Sequence, residues 1–310
     1  MKLRNNRKAF TMIELLFVIV IMGIVGGLAL EAVRQYYDGI YRTGEYTKRV
    51  AQADQILEKI SKYFENGISA SIIRLDANNT VFGTDCVGIP VNSDGSTDYT
   101  IAFVAVDNDG LRGFWDGIRW RPGWTSDVLS IGNTLISADA NYTSLNPGNS
   151  LLNAAIFRSE GLGEGNNECE RFGWENAANT NDVYRRINNV HSDTNLTLSG
   201  MLSISGQASR AYVMRTAYAF RARNGVFNMY TGFEPWNGEQ YSDNNVIPRL
   251  LADKVTHFTI LYDNANTIMN SNIGNIYTLK ICMQGLDENL SDSNLSRNQI
   301  CRERMVHVRY

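Results

Sequence analysis

The sequence predicts an α+β fold in which one long N-terminal helix precedes a mainly antiparallel β-sheet with a large β-rich insertion. An apolar run covers residues 10–30, and an apolar stripe at helical spacing continues beyond it. The rest of the chain is rich in Asn, Asp, Gly, Ser and Thr and contains short runs of alternating apolar and polar residues. One helix followed by many strands is the order typical of α+β proteins.

The N-terminal segment is an apolar helix that contains a single acid. Among the 21 residues from Phe10 to Leu30, only Thr11 and Glu14 are polar. A helix of this length rises about 30 Å, the thickness of a hydrocarbon core. Four basic residues and no acid stand within residues 1–9, so we expect the N-terminus to be cytoplasmic and everything after the helix to be exported. A cleaved secretory signal and a plain anchor both fit the apolar run, but neither explains Glu14.

The helix is predicted to continue through residues 31–75 with one buried face. Apolar residues recur at helical spacing, namely Val50, Ala53, Leu57, Ile60 and Phe64. Charged residues occupy the opposite side, so this part is amphipathic. Glu31 and its neighbours include no proline, so we expect no kink there.

Strands are predicted through the remainder of the chain. The candidates are 99–106, 196–205, 212–223, 226–230, 255–262, 277–283 and 302–308, with 128–131 and 151–157 as weaker ones. Asn224-Gly225 between two such runs predicts a hairpin. Residues 249–254 are predicted to be a short helix or a loop.

The residues around the start of the apolar run resemble the prepilin signal of type IV pilins and type II secretion pseudopilins. The matching features are a short basic leader, a small residue at Ala9, the aromatic Phe10 and the sequence T-M-I-E-L-L that contains Glu14. The resemblance implies that a prepilin peptidase cuts between Ala9 and Phe10 and methylates the new amine of Phe10. The family usually has Gly where this chain has Ala9. The resemblance also implies that Glu14 pairs with the amine of a neighbouring subunit, and that the long helix lies across the sheet.

The resemblance implies a pilin-like chain in five segments. These are a leader (1–9), a transmembrane and filament-core helix (10–30), its amphipathic continuation (31–75), a β-rich insertion or lobe (76–205) and a C-terminal antiparallel sheet (206–310). We expect a single-pass inner-membrane protein with a periplasmic head, able to join a filament at the cell surface. Its expected partners are the prepilin peptidase, the membrane and other pilins or pseudopilins.

The four cysteines fit an exported, oxidised protein. Cys282 and Cys301 flank a polar loop between two predicted strands, which favours a disulfide between them. Cys86 and Cys169 would then pair by elimination, although four cysteines allow three pairings. A zinc site is the alternative, but no cysteine or histidine spacing supports it.

Five asparagines stand in the pattern Asp-x-Asn-x-Ser/Thr, where chance would give about half a match from residue usage. They are Asn78, Asn141, Asn195, Asn289 and Asn294. The pattern resembles the extended acceptor of bacterial oligosaccharyltransferases, so these asparagines are candidate glycosylation sites. The alternative is that these residue types simply crowd together in loops.

Three further groups of residues are weaker candidate sites. Asp107 and Asp109, with Asp116 beyond them, offer oxygen ligands for Ca²⁺, but the closing acid of a full calcium loop is missing and an Asp-Gly turn is the favoured interpretation. The tryptophans of residues 115–124, interleaved with arginines, are either a binding patch for a partner or glycan, or core, and core is favoured. The arginines of strand 212–223 are either a DNA-binding face or a solvated face, and the solvated face is favoured.

The composition and the motifs limit the functions that the protein can have. The net charge of −3 gives no bulk basic character, so no nucleic-acid partner is expected. No catalytic motif, cofactor site or metal site emerges beyond the weak calcium candidate, so the protein is not predicted to be an enzyme. The favoured function is a minor pilin or pseudopilin, a structural subunit of a type IV pilus or type II secretion pseudopilus. The alternative is a tip adhesin or DNA-uptake minor pilin whose head binds a ligand.

Overall fold

The structure is a computed structural model that describes residues 11–75, 100–115, 117–158, 172–174, 184–201, 208–262, 276–284 and 299–308. The chain divides into two units, Met1–Arg49 and Val50–Tyr310. We call the second unit the head. Helix α1 (Met12–Phe64) contributes to both units. It runs without interruption through Glu31, as the absence of proline predicted.

The described part of the first unit is helical from Met12 onward. Its large apolar side chains are exposed from Met12 to Leu30, and so are those of Val33, Tyr36 and Tyr37. By length and composition, α1 qualifies as a membrane-crossing helix. An apolar surface of this kind is stable only in lipid or against other helices.

The helical end of the head is buried in an aromatic core. Ala53, Leu57, Ile60 and Phe64 are fully or almost fully buried, which confirms the predicted face of the amphipathic helix. The ring of Phe64 lies 4.2 Å from that of Phe103, measured between centroids. This core, which we call the helix core, also includes Phe220, Phe227, Phe258 and Leu279. The helix therefore packs on β-structure in an α+β head.

The head contains fifteen strands among the described residues. Twelve of them are β1 (Ile73–Leu75), β2 (Thr100–Val106), β3 (Phe114–Trp115), β4 (Trp120–Arg121), β5 (Asp127–Ile131), β6 (Thr134–Ile136), β7 (Ala155–Arg158), β8 (Tyr184–Ser192), β9 (Asn195–Leu198), β10 (Ala208–Arg223), β11 (Val226–Phe233) and β12 (Arg249–Asp253). The last three are β13 (Val255–Tyr262), β14 (Ile276–Gln284) and β15 (Gln299–His307). All the pairings between them are antiparallel. Two short helices, α2 (Asn108–Arg112) and α3 (Tyr142–Leu145), lie between strands.

Strand β10, with 16 residues, organises a ten-stranded sheet. Strand β2 pairs with its C-terminal half and β5 with its first residues. Strands β11 and β7 also pair with it. The β10–β11 hairpin turns at Asn224 and Gly225, whose φ angles of 51° and 75° are those of a type I′ turn.

The pairings β10–β5–β6–β9–β8–β7–β10 close into a ring of strands. A second core, the ring core, includes Val128, Leu135, Ile156 and Leu196. Alternation along β10 separates the two cores. Ala217 and Ala219 belong to the ring core, whereas Phe220 belongs to the helix core.

Strands β13, β14 and β15 form a separate three-stranded sheet in chain order. Tyr277, Leu279 and Ile281 alternate inward along β14 and complete the helix core. The bounds of β13 coincide with the predicted strand 255–262.

The structure differs from the sequence-based expectation at three places. Helix α1 ends at Phe64, and residues 65–75 form a turn, a 3₁₀ turn and β1, because Gly67 bridges to Ala105 and starts pairing with β2. Residues 249–253 form the edge strand β12 rather than a helix or loop, because they pair with β11. The predicted boundary at 205 does not separate two sheets, since β10 pairs with β2, β5 and β7, which precede it, and with β11, which follows it.

Candidate functional site

The start of α1 holds the acid that the sequence singled out. The Glu14 carboxylate Oε2 lies 3.4 Å from the Thr11 backbone nitrogen and 3.3 Å from its hydroxyl. Thr11 precedes the first helical residue, and Glu14 follows it by three positions, so the Glu14 side chain makes one of the two bonds of a capping box, while its own N–H donates to the Thr11 carbonyl at 3.0 Å. Sequence reasoning missed this local role of Thr11, although T-x-x-E is itself a recognisable signal.

Within residues 12–30, all of which the structure describes, Glu14 is also the one acidic side chain on an otherwise apolar exposed surface. Every described side chain from Met12 to Leu30 is exposed, and none of the others in that stretch carries a charge. A carboxylate placed among lipid or apolar helices is unfavourable unless a cation pairs with it. Ala9 and Phe10, the predicted cleavage residues, lie outside the described residues.

The Cys282–Cys301 disulfide is present, which confirms that prediction. The two cysteines stand directly opposite each other on β14 and β15. Cys282 is buried and Cys301 is exposed. The predicted partners Cys86 and Cys169 lie outside the described residues, so that pairing stays a prediction.

The last strand is also tied to α1 by an ion pair that the sequence did not reveal. The Arg302 guanidinium donates to both carboxylate oxygens of Asp54, at 3.0 and 3.1 Å. This hydrogen bonding lowers the pKa of the Asp54 carboxyl below its usual value. Because both side chains are about half exposed, the pair adds little stability, about 0.2–1 kcal/mol. Its effect is to fix the register of β15 against the helix.

The calcium candidate Asp107 is engaged inside the protein. Its carboxylate accepts from the Gly110 N–H at 3.0 Å and caps α2. Its other oxygen lies 2.7 Å from Nε of Arg215, an ion-pair distance. Arg215 also donates to the Leu145 carbonyl at 2.7 Å. These contacts use the oxygens that a calcium ion would need.

The other two predicted calcium ligands, Asp109 and Asp116, do not add a ligand beside Asp107 within the described residues. Asp109 is exposed in the first turn of α2, and Asp116 lies outside the described residues. Within the described ranges, no three His, Cys, Asp or Glu side chains cluster in a way that suits a metal ion. The calcium site therefore stays a prediction. Where the sequence favoured an Asp-Gly turn, the structure has the capped five-residue helix α2.

The tryptophans of residues 115–124 divide into two environments. Trp124 is fully buried, and its indole N–H donates to the Asp107 carbonyl at 2.8 Å. Trp115 and Trp120 lie opposite each other on β3 and β4 and are exposed. One tryptophan is therefore core, and two lie on the surface.

The arginines of β10 do not form one solvated face. Arg215 is in the ion pair with Asp107, and Arg221 is half-buried, whereas Arg223 is exposed near the hairpin turn. The reason is that β10 is a central strand with a core on each side, so a purely polar face is not available along it.

Two of the five candidate glycosylation sites are described. Asn141 is 8% exposed, and its side-chain oxygen accepts from the Ser144 N–H at 3.1 Å, which caps α3. Burial raises the pKa of the neighbouring Tyr142 phenol. Asn195 begins β9, and its side-chain oxygen is buried without a hydrogen-bond partner within the described ranges. Asn78, Asn289 and Asn294 lie outside the described residues, and glycosylation at any of the five stays a prediction.

Comparison with known proteins identifies the N-terminal segment. Residues 4–30 match the family model described as the prokaryotic N-terminal methylation motif. The match covers residues 4–9 of the basic leader, the predicted cleavage point, Glu14 and the apolar part of α1. Neither a curated protein nor a solved structure matches the chain. The chain therefore carries a prepilin-type signal, which implies processing by a prepilin peptidase, a membrane-anchored precursor and assembly with other pilins. Proteins with this signal are structural subunits rather than enzymes.

Proposed function

We propose that this chain, which carries a prepilin signal of the type IV pilin and pseudopilin type, is a minor subunit of a type IV pilus or a type II secretion pseudopilus. The observation that supports this most strongly is the methylation motif at residues 4–30, on a helix whose large apolar side chains are exposed from Met12 to Leu30. Such a helix needs either lipid or neighbouring helices around it, and a filament core supplies the second. The head would be periplasmic before extraction from the inner membrane.

The proposed maturation creates a cationic partner for Glu14. Hydrolysis of the Ala9–Phe10 peptide bond adds water across it and leaves a free amine on Phe10. At neutral pH an α-amine is largely protonated, and adding a methyl group keeps that charge. In the filament, the Glu14 carboxylate would pair with the Phe10 amine of a neighbouring subunit. Removing one member of a charge pair in apolar surroundings costs about 3–5 kcal/mol, so this pair would fix one stagger between subunits.

The size of the head supports a minor subunit. The head comprises Val50–Tyr310 and includes a ten-stranded and a three-stranded sheet. Identical copies of so large a head would crowd a uniform filament, whereas a subunit present at few positions avoids this. The DNA-uptake alternative gains no support from β10, because Arg215 is already paired with Asp107.

The experiment is mass spectrometry of the protein from its native host, followed by analysis of sheared filaments. We expect an N-terminus at Phe10 with one added methyl group. An Ala9→Leu variant should remain uncleaved, and the matched Ala9→Gly variant should be cleaved normally. An intact N-terminus at Met1 in the wild-type protein would overturn the proposal.

Assembly is tested with two acid-to-amide variants of the same helix. Glu14→Gln should be cleaved and methylated but should fall at least about a hundredfold in the filament fraction, in line with the loss of a buried charge pair. Glu31→Gln is the matched control, because Glu31 is an exposed acid that accepts a hydrogen bond from the side chain of Gln35 on its own helix. If both variants assemble like the wild type, the proposed role of Glu14 is wrong.

A further inference from the structure

Beyond the apolar run, helix α1 keeps an exposed face without charges. Along this face, apolar residues and threonines recur at alternating steps of three and four. Val33, Tyr36 and Ile40 are 50%, 67% and 51% exposed, and the two threonines are exposed as well. We call this face the α1 seam and define it by Val33, Tyr36, Ile40, Thr43 and Thr47.

The two threonines of the α1 seam have their hydroxyl donors satisfied within the helix. The Thr43 hydroxyl donates to the Gly39 carbonyl at 2.8 Å, and the Thr47 hydroxyl donates to the Thr43 carbonyl at 2.9 Å. Their methyl groups are therefore the groups available for packing against a neighbour. From Val33 to Thr47, the α1 seam extends for about 21 Å.

The charged side chains of residues 31–48 all avoid the α1 seam. Alternating steps of three and four are the spacing of positions a and d in a coiled coil. With Val33 and Ile40 at position a, the charged residues fall at the outer positions b, c and f, and these are Glu31, Arg34, Asp38, Arg42, Glu45 and Lys48. The helix can therefore bury the α1 seam against another helix while these charges stay in water.

Lipid can cover only the beginning of the α1 seam. Ile40 follows Leu30, the last residue of the apolar run, by ten residues, which is about 15 Å along a helix. The headgroup layer on one side of a bilayer is only about 5–8 Å thick. Ile40, Thr43 and Thr47 therefore lie in water unless a protein surface packs on them.

The positions beside the α1 seam fit a second copy of this chain. In a parallel pair of helices, position g of one helix lies beside the next position e of the other. Ala32 at g then meets Tyr37 of the second copy, and Gly39 at g meets Gly44 of the second copy. Each of these contacts has a small residue on at least one side, and none of them brings two charges together.

Membrane insertion gives a second copy the required direction and level. Each copy has the same basic leader, which is expected to stay on the cytoplasmic side, so two α1 helices run parallel. Each copy also ends its apolar run at Leu30, so the two seams begin at the same height above the bilayer. The same heptad register places Glu14 at position c, away from the contact between the two helices.

We propose that the α1 seam joins two copies of this chain in a parallel, in-register pair of helices while both copies are anchored in the membrane. The pair is symmetric and closed, which distinguishes it from the staggered contact proposed for the filament. It leaves Glu14 of each copy on the outer side, available for the amine of another subunit. The inference rests on membrane anchoring and needs neither cleavage nor filament assembly, so it and the proposed function can fail separately.

The test is cysteine crosslinking of the full chain in the membranes of a bacterial host that has no other pilins and no prepilin peptidase. Ile40→Cys and Thr47→Cys should each give a crosslinked dimer on mild oxidation, because equivalent a positions face each other in an in-register pair. Asp38→Cys and Glu45→Cys, at the outer position f, are the matched controls. They should give no more dimer than the chain without an added cysteine.

Mixed crosslinking measures the register of the two helices. Two Thr47→Cys copies with different tags should crosslink more than a Thr43→Cys copy with a Thr47→Cys copy. A stagger of four residues, which the pairing of the Phe10 amine with Glu14 requires in a filament, would bring position 43 level with position 47. That stagger would reverse the order of the two yields and would overturn the in-register pair.

A pair of aspartate variants separates the α1 seam from the rest of the helix. Ile40→Asp in the Thr47→Cys chain should lower the dimer yield about tenfold or more, because each copy loses an apolar contact and the two new acids face each other. Tyr41→Asp is the matched control, since Tyr41 is 70% exposed and lies at the outer position b, and its dimer yield should equal that of the Thr47→Cys chain. Equal amounts in the membrane fraction and equal melting curves of the head would show that both variants are inserted and folded.

Three results would overturn the proposal. The first is an unchanged dimer yield with Ile40→Asp, and the second is crosslinking at the outer positions as strong as that at the α1 seam. The third is crosslinking of the α1 seam to another membrane protein in the native host, with no dimer of this chain in either host, which would assign the seam to a different helix.

Discussion

Replacing Asp107 with Ala is expected to lower the free energy of unfolding of the head by about 2.5 kcal/mol. Loss of the side-chain cap of α2 accounts for about 1 kcal/mol. Loss of the contact with Arg215 accounts for about 1.5–3 kcal/mol in a buried setting. The side chain of Asp107 is 10% exposed and that of Arg215 is 32% exposed, so solvent screening places the second contribution at the lower end of its range.

The assay is denaturant unfolding of the full chain in detergent micelles, followed by tryptophan fluorescence. Trp124 reports directly on this region, because its N–H donates to the Asp107 carbonyl. Asp109→Ala is the matched control, since Asp109 is an exposed acid on the same short helix. That variant should differ from the wild type by less than about 1 kcal/mol.

The same pair of variants tests the calcium prediction. If Asp107 is an internal ion-pair partner, millimolar calcium and a chelator should leave the wild-type unfolding midpoint unchanged. A calcium-dependent increase in stability that disappears in both variants would show instead that the two carboxylates are ligands. A destabilisation by Asp107→Ala of less than about 1 kcal/mol would refute the contribution assigned to the cap and the ion pair.

Two further measurements address the disulfide and the asparagines. Replacing Cys282 and Cys301 together with Ala should lower the free energy of unfolding by about 3 kcal/mol, given their separation of 19 residues. The measurement is denaturant unfolding in reducing and in oxidising buffer. Equal stability in both buffers would contradict the stabilisation assigned to the disulfide. Asn141→Ala should cost about 1 kcal/mol through the lost cap of α3, and glycopeptide mass spectrometry should find Asn141 unmodified in the folded protein, because its side chain is buried and hydrogen-bonded. A glycan at Asn141 would show that modification precedes folding.

The features that sequence reasoning predicted correctly depend on contacts between residues close in the chain. The buried face of α1 follows from a repeat of three and four residues, and the β10–β11 hairpin follows from Asn224-Gly225. Cys282 and Cys301 were recognisable because each adjoins a strand and a polar loop joins them. In each case the physical cause is visible within about twenty residues of sequence.

The features that were missed depend on partners far along the chain. Asp107 pairs with Arg215, and Asp54 pairs with Arg302. No local sequence pattern predicts either ion pair. Strand β12 was predicted as a helix or loop because an edge strand with mostly exposed residues lacks the alternation of a buried one. Of the three tryptophans of residues 115–124, only the fold decides that Trp124 is buried and the other two are not.

The head contains two cores that lie on opposite faces of β10. Along β10, the small residues Ala217 and Ala219 face the ring core, while the alternate positions Tyr218 and Phe220 face α1. Packing changes in the ring core are thus separated from the helix core by a layer of sheet. Because the effects of substitutions at distant sites on the free energy of unfolding are nearly additive, a substitution in the ring core is expected to show little coupling to one in the helix core.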